Sequence, residues 1–260
     1  MKVGILAGGV GTRLAEETET KPKPMVEIGG KPILWHIMKH YSTHGFFDFV
    51  VALGYKGEII KKYMIDYSTL NGNLKVNLQN GDVQLVGKNV DNWKIDLVDT
   101  GYYTATGGRI KRMASYFGNE TFLLTWGDGV SNVDLGELIR FHKSHGRLAT
   151  VTAVRPPARF GKLYIKENVV EKFSEKPQLD EGWINGAYYV LEPGVFEFID
   201  GDETQWEKEP MERLAMEGQL MAYKHGSFWQ CMDTLRDKKL LEKIWQTGNA
   251  PWKIWNGIKR

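Results

Sequence analysis

The chain has 260 residues, enough for a sizeable core and near the upper end for one domain. Its formal net charge of +2 argues against general nucleic-acid or membrane-surface binding, and no apolar run approaches the ~20 residues of a bilayer span. The single cysteine, Cys231, excludes an intrachain disulfide; with Met1-Lys2 running directly into an apolar stretch, it fits a cytoplasmic protein without a signal peptide.

Val3–Leu6 predicts a strand that enters three glycines within four residues, Gly8, Gly9 and Gly11, and then Thr12 and Arg13. Glycines at the carboxyl end of a strand let the backbone turn sharply and approach a ligand. The freed N–H groups of such a turn can converge on phosphate oxygens, and Arg13 adds a planar, permanently charged fork. Lys23 follows between Pro22 and Pro24, whose rings fix φ on either side of it. A rigidly presented lysine beside a glycine-rich turn points to a triphosphate site, whereas the glycine cluster alone reads equally well as a surface turn. The string is not a dinucleotide fingerprint, because Leu14 stands where the third glycine belongs, and no Gly-Lys-Ser/Thr follows to make a Walker loop.

Downstream, Ile33, Leu34, Ile37, Met38 and Tyr41 share one helical face. His36, His40 and His44 recur every four residues there, which suits a partly exposed helix surface better than a zinc site. Phe47–Leu53 predicts a strand and Gly57–Tyr67 a helix, and Leu74–Val86 reads as a hairpin broken at Asn80-Gly81-Asp82. After a strand over Trp93–Val98, Asp99–Gly108 reads as a loop able to close on a ligand. A helix to about Phe117 and a strand over Thr121–Thr125 lead to Trp126-Gly127-Asp128-Gly129, and Asp134–Ser144 is helical. Strands are then expected at Ala149–Val154, Lys162–Ile165, Val169–Phe173, Ala187–Leu191, Met221–His225 and Phe228–Met232. Helices are expected at Gly194–Ile199, Pro210–Met216 and Leu235–Gln246. Repeated strand–helix order predicts an α/β fold with a Rossmann-like, mixed but mainly parallel sheet flanked by helices, shared by both halves of one domain. Trp245, Trp252 and Trp255 crowd the C-terminus, as in a tail that docks on the body or on another subunit.

Ligands of such sheets sit beyond the carboxyl strand ends, where both the glycine loop and Asp128 fall. Alone, Asp128 reads as a turn residue and Asp233 as a polar residue beside a helix start, with Thr234 as N-cap and Asp237 as its partner. Two strand-end carboxylates near a triphosphate loop are a different matter, because magnesium takes one or two carboxylates plus phosphate oxygens. Glu175-Lys176-Pro177 and Ile184-Asn185-Gly186 carry groups suited to a sugar phosphate, a cation in Lys176 and hydroxyl partners in Glu175 and Asn185; a solvated loop and a turn explain them as well.

The glycine loop ending in Thr12-Arg13, followed by Pro22-Lys23-Pro24, resembles the signature of the sugar-phosphate nucleotidyltransferases. Over Leu6–Arg13, Lys21–His36, Asp99–Arg112, Gly127–Val130, Glu175–Pro177 and Phe228–Asp237 the chain is similar to the glucose-1-phosphate cytidylyltransferases of that family. The resemblance implies the nucleotide-diphospho-sugar transferase fold, with residues 1–148 mainly binding nucleotide, 149–240 a small β-rich part mainly binding sugar, and 241–260 a tail with subunit contacts. It implies nucleotide contacts from Leu6, Ala7, Gly8, Gly9, Val10, Gly11, Thr12, Arg13, Lys23, Thr104, Arg109 and Asp128, with Arg13 and Lys23 catalytic. It places Gly161, Glu175, Lys176, Asn185 and Gly186 at the sugar phosphate and Mg2+ on Asp128 and Asp233. The implied reaction joins CTP and glucose 1-phosphate into CDP-glucose for bacterial surface polysaccharide, in a homo-oligomer that could be a hexamer. Thr104 alone reads as loop and Arg109 as a surface residue. Nothing in the residues themselves selects cytosine over uracil, thymine or guanine, and a non-catalytic regulatory subunit is the other class of reading. Tyr102-Tyr103 departs from the smaller or acidic residues usual in the family.

Overall fold

The computed structural model describes residues 1–86, 91–156, 162–166, 168–174 and 182–256. The first half runs β1 (Val3–Leu6), α1 (Ala15–Thr18), β2 (Glu27–Ile28), β3 (Lys31–Pro32), α2 (Ile33–Thr43), β4 (Asp48–Leu53), α3 (Gly57–Leu70), β5 (Asn73–Asn77), β6 (Asp82–Val86), β7 (Lys94–Asp99), α4 (Thr106–Arg112), α5 (Ala114–Phe117), β8 (Phe122–Trp126), β9 (Gly129–Ser131) and α6 (Leu135–His145). The second half runs β10 (Ala149–Val154), β11 (Lys162–Lys166), β12 (Val169–Ser174), β13 (Ile184–Leu191), α7 (Glu209–Met216), β14 (Leu220–His225), β15 (Trp229–Cys231) and α8 (Leu235–Gln246).

Seven strands form one sheet in the order β14-β10-β13-β8-β1-β4-β7. Every pairing is parallel except those of β13 with β10 and β8, so the sheet is mixed and mainly parallel and takes strands from both halves of the chain. Near-continuous apolar strands suit a sheet covered on both faces: β1, β4 after Asp48 and β10 are buried throughout. One core lies between the sheet and α2, with Ile33, Leu34, Ile37, Met38 and Tyr41 all buried as their periodicity predicts. The other lies on the opposite face around Ile110, Phe117, Phe122, Tyr189 and the fully buried Trp206.

Two expectations change. Gly107 and Gly108 lie inside the first turn of α4 rather than before it. A Cβ on either would stand 2.7 or 2.6 Å from the backbone of Thr204 or Asp202, so glycine lets that segment cross the helix. His36 and His40 are buried rather than partly exposed: the C-terminal tail covers His36, and His40 lies inward beside Tyr188 of β13 and Val133. Trp245 and Trp35 stand edge-on to the His36 ring at 4.8 and 5.1 Å, and Trp252 is fully buried beside it. His36 donates from Nε2 to the Ile28 carbonyl at 2.8 Å and accepts on Nδ1 from the Trp252 indole at 3.3 Å, which calls for the neutral ring.

Burial lowers His36 to about 4, against the pull of the Ile28 carbonyl, and His40 to about 3, with His44 adding repulsion. Neither ring nitrogen of His40 makes a well-formed hydrogen bond; the Val133 backbone lies near without pairing. In the unfolded chain these rings titrate near 6.5, so below that pH the unfolded state binds protons the folded state excludes. Stability is therefore full above about pH 6.5 and falls toward pH 4. We expect urea melts to show that decline, and His40→Leu to reduce it and to match or exceed the wild type at pH 5 by about 1 kcal/mol, because it removes two unpaired polar atoms. A variant that loses as much stability with acid as the wild type would contradict this account of His40.

Candidate active site

The glycine loop leaves β1 beside the carboxyl end of β4, and Arg109 of α4 ties the ends of β4 and β7 together and packs against the loop at Gly8. The arginine is 4% exposed. Nη1 donates to the Leu53 carbonyl at 3.0 Å, Thr100 Oγ1 at 2.7 Å and the Gly101 carbonyl at 2.7 Å, and Nη2 donates to the Tyr102 carbonyl at 3.1 Å. Burial, with Arg112 nearby, lowers its pKa from the ordinary arginine value. A Cβ on Gly8 or Gly54 would lie 2.3 or 2.5 Å from Nη1, so these two glycines make room for the arginine. Gly9, by contrast, faces open space. Arg109 thus reaches the interior rather than the surface, and Asp99–Gly108 is in part helical and held through the Gly101 and Tyr102 carbonyls.

A second cluster sits on the other side of the loop. Lys23, presented from a single 3-10 turn after Pro22, donates from Nζ to Asp128 Oδ2 at 2.7 Å and to Asp233 Oδ1 at 2.5 Å. Arg13 donates to the second oxygen of Asp233 at 2.7 Å. The two aspartates are 105 residues apart in sequence, and a short ladder brings them together. β15 pairs antiparallel with β9, Cys231 opposite Gly129, and the Met232 amide donates to the Asp128 carbonyl at 2.8 Å. α8 starts immediately after Asp233 with the expected capping box between Thr234 and Asp237. Desolvation works against the Lys23 ammonium, but the charges and hydrogen bonds of the two carboxylates outweigh it and raise its pKa. Burial first, then the same aspartates, push the Cys231 thiol up to about 12, so it stays protonated and is no nucleophile.

The loop and this cluster border a cavity of about 720 Å³. All twelve residues expected at the nucleotide line it: Leu6, Ala7, Gly8, Gly9, Val10, Gly11, Thr12, Arg13, Lys23, Thr104, Arg109 and Asp128. Asp233 joins them through Arg13 and Lys23. Tyr102 and Tyr103 form part of the wall and remain exposed. Asn185 and Gly186 do not line the cavity. Asn185 accepts the Ala187 amide at 2.8 Å, and Gly186 accepts the Trp229 indole at 2.8 Å while fitting tightly against Val154 and Thr152 of β10. Gly161, Glu175 and Lys176 lie outside the described residues. Sequence reasoning missed Gln205 and Glu207, which close the wall from the segment before α7. Glu207 accepts from the Trp126 indole at 3.0 Å and from the Thr106 hydroxyl at 2.6 Å. No local pattern marks these residues, because only the crossing over α4 brings them to the site.

The donor set fits a divalent metal. Two carboxylate oxygens converge on a single cationic atom, and hard oxygen ligands suit such ions. Among the described residues no group of three or more His, Cys, Asp or Glu could hold a metal. The aspartate pair would thus leave most of the coordination sphere to phosphate oxygens and water, which is the habit of magnesium. Among the described residues no helix is long and apolar enough to cross a membrane.

The nucleotidyl transferase family matches residues 2–235. A glucose-1-phosphate cytidylyltransferase of Salmonella typhimurium is 53% identical over 98% of this chain and the whole of that protein. A mannose-1-phosphate guanyltransferase of Neurospora crassa is 29% identical over 91% of this chain and 62% of its own length. Among solved structures, HddC from Yersinia pseudotuberculosis superposes with a TM-score of 0.67 at 24% identity, covering 94% of this chain and 99% of that one. The chain therefore belongs to the nucleotidyl transferase family and stands with its glucose-1-phosphate cytidylyltransferases.

Proposed function

We propose that this protein transfers the cytidylyl group of CTP to α-D-glucose 1-phosphate, giving CDP-glucose and pyrophosphate. The observation that carries the reading is the convergence of Arg13 and Lys23 with Asp128 and Asp233 beside the glycine loop. It gains support from full-length similarity to proteins bearing that name.

In the reaction, a phosphate oxygen of glucose 1-phosphate attacks the α-phosphorus of CTP. The new P–O bond forms as the bond to the bridging oxygen breaks, and pyrophosphate leaves with that electron pair. The nucleophile is already an anion, so no general base is needed; the barrier lies in repulsion between anions and in transition-state charge. We assign Arg13 and Lys23 to that charge, the loop amides around Gly9 to the triphosphate, and Arg109 to holding the loop in place. Thr104 is assigned to the nucleotide, and Asn185 and Gly186, with Gly161, Glu175 and Lys176, to the sugar side. Mg2+, held by Asp128 and Asp233, would screen the phosphate charges. Lys23 and Arg13 neutralise the carboxylates when no substrate is present and face the phosphates when it is. The reaction belongs in the cytoplasm, where both substrates are made, and its product suits dideoxysugar assembly for surface polysaccharide.

Two measurements test the reading. Purified protein with glucose 1-phosphate and Mg2+ should release pyrophosphate from CTP and not from UTP, dTTP, GTP or ATP; preference for another base would keep the mechanism and remove the cytidylyl assignment. Lys23→Ala should lower turnover by roughly two to three orders of magnitude, as other preorganised charge stabilisers do. Unchanged turnover in a folded variant would remove Lys23 from its role.

A further inference from the structure

Tyr102 and Tyr103 take no part in the chemistry described so far, yet both line the cavity. They are 52% and 87% exposed, so two large rings stand in solvent at its wall. The backbone beneath them is fixed at both ends. Gly101, at φ +86°, takes a left-handed turn, and its amide donates to Asp99 Oδ1 at 3.0 Å. Arg109 then holds the Gly101 and Tyr102 carbonyls, and beyond the pair the Ala105 amide donates to the Asp202 carbonyl at 2.8 Å. Tyr102 stands edge-on to Tyr55 at 5.9 Å, and Tyr103 edge-on to Tyr102 at 4.8 Å. A fixed backbone that presents uncovered aromatic rings suits a binding platform, because little ordering is left to the binding step.

Two observations say which part of a ligand the rings meet. In the sheet order β14-β10-β13-β8-β1-β4-β7, the tyrosines follow β7 at one edge, and β10, β13 and β14 of the second half lie toward the other. The rings are therefore placed for the nucleotide and not for the hexose. Charge then orients the nucleotide. Arg13 and Lys23 lie with Asp128 and Asp233 on the other side of the glycine loop. On the tyrosine side, the guanidinium of Arg109 is taken up by four acceptors, and Glu207, bonded to Thr106, adds a carboxylate to the wall. A triphosphate is drawn to the first side and repelled from the second, which leaves the uncharged base to the tyrosines. We propose that Tyr103, backed by Tyr102, stacks on the base of the bound nucleotide. This rests on the reading above that the triphosphate lies against Arg13 and Lys23. Every base has a π-face, so the pair adds affinity for the nucleotide without selecting cytosine.

The test is calorimetric binding of CTP with Mg2+ to the whole protein, with inorganic tripolyphosphate as the probe that has no base. The wild type should bind CTP more tightly than tripolyphosphate. Tyr103→Ala should weaken CTP by roughly 5- to 100-fold, the range for loss of one base–aromatic stack, and leave tripolyphosphate unchanged. Tyr103→Phe keeps the ring and should restore wild-type binding. In turnover the loss should fall on KM for CTP and not on KM for glucose 1-phosphate. Unchanged CTP binding in Tyr103→Ala overturns the proposal, as does equal weakening of tripolyphosphate or a loss that falls on glucose 1-phosphate. Preference for another nucleoside triphosphate in turnover removes the cytidylyl assignment alone, and the same comparison with that nucleotide decides the stack. A wild type that binds no nucleoside triphosphate more tightly than tripolyphosphate overturns it. Nitration of the wild type by tetranitromethane, read by peptide mass, needs no variant. CTP should slow modification of Tyr103 and tripolyphosphate should not; equal modification with the two overturns the contact.

Discussion

The site depends on one lysine placed between two carboxylates. Asp128 and Asp233 would repel each other if brought together alone, and Lys23 removes that repulsion while Arg13 takes the remaining oxygen of Asp233. The result is a site that is balanced in charge before any substrate arrives. It also holds two cations and two anions in reach of one cavity, so an incoming polyanion and a divalent metal can each find partners of opposite sign without a new charge being buried unpaired. The prolines on either side of Lys23 matter for this reason. They restrict the backbone that presents the amine, and less of its geometry is left to side-chain ordering.

Secondary structure far from the loop supports the cluster. β9 and β15 form a ladder of only three residue pairs, yet it brings the segment after β8 against the segment before α8. The capping box on α8 uses the amides of Asp233 and Thr234, so the helix start and the carboxylate are set together. On the other side, Arg109 bridges carbonyls at the ends of β4 and β7 and lies against Gly8. A buried guanidinium needs several acceptors, and the neighbouring ends of β4 and β7, which stop at the same level, supply them. That shared level follows from the parallel sheet itself.

Much of this was legible in the residues. The glycine loop, the rigid Lys23, the apolar strands and the periodic face of α2 follow from local chemistry: backbone freedom, fixed φ and burial period. The α/β order and the hairpin at Asn80-Gly81-Asp82 follow in the same way. Pairing Asp128 with Asp233 as metal ligands rested on two strand-end carboxylates near the loop and on resemblance together, and a role for Thr104 on resemblance alone, because a turn aspartate or a loop threonine by itself carries no local mark of function.

Tertiary structure decided the rest, and the reason is distance along the chain. Only folding could show that Gly8 and Gly54 yield space to Arg109, since the arginine lies 101 and 55 residues away in sequence. Only the crossing over α4 brings Gln205 and Glu207 into the cavity wall, and only the tail and β13 turn His36 and His40 of α2 into buried groups. The hairpin is the reverse case. Its turn and alternation are plain in sequence, but alternation says which side chains share a face and not whether the protein covers that face. By itself the sequence determined most of the elements and the glycine turn with its rigidly presented lysine, because these rest on neighbours in the chain. The tertiary structure decided which charges meet and which apolar surface stays open, because these rest on strand ends and segments far apart in sequence that only packing brings together.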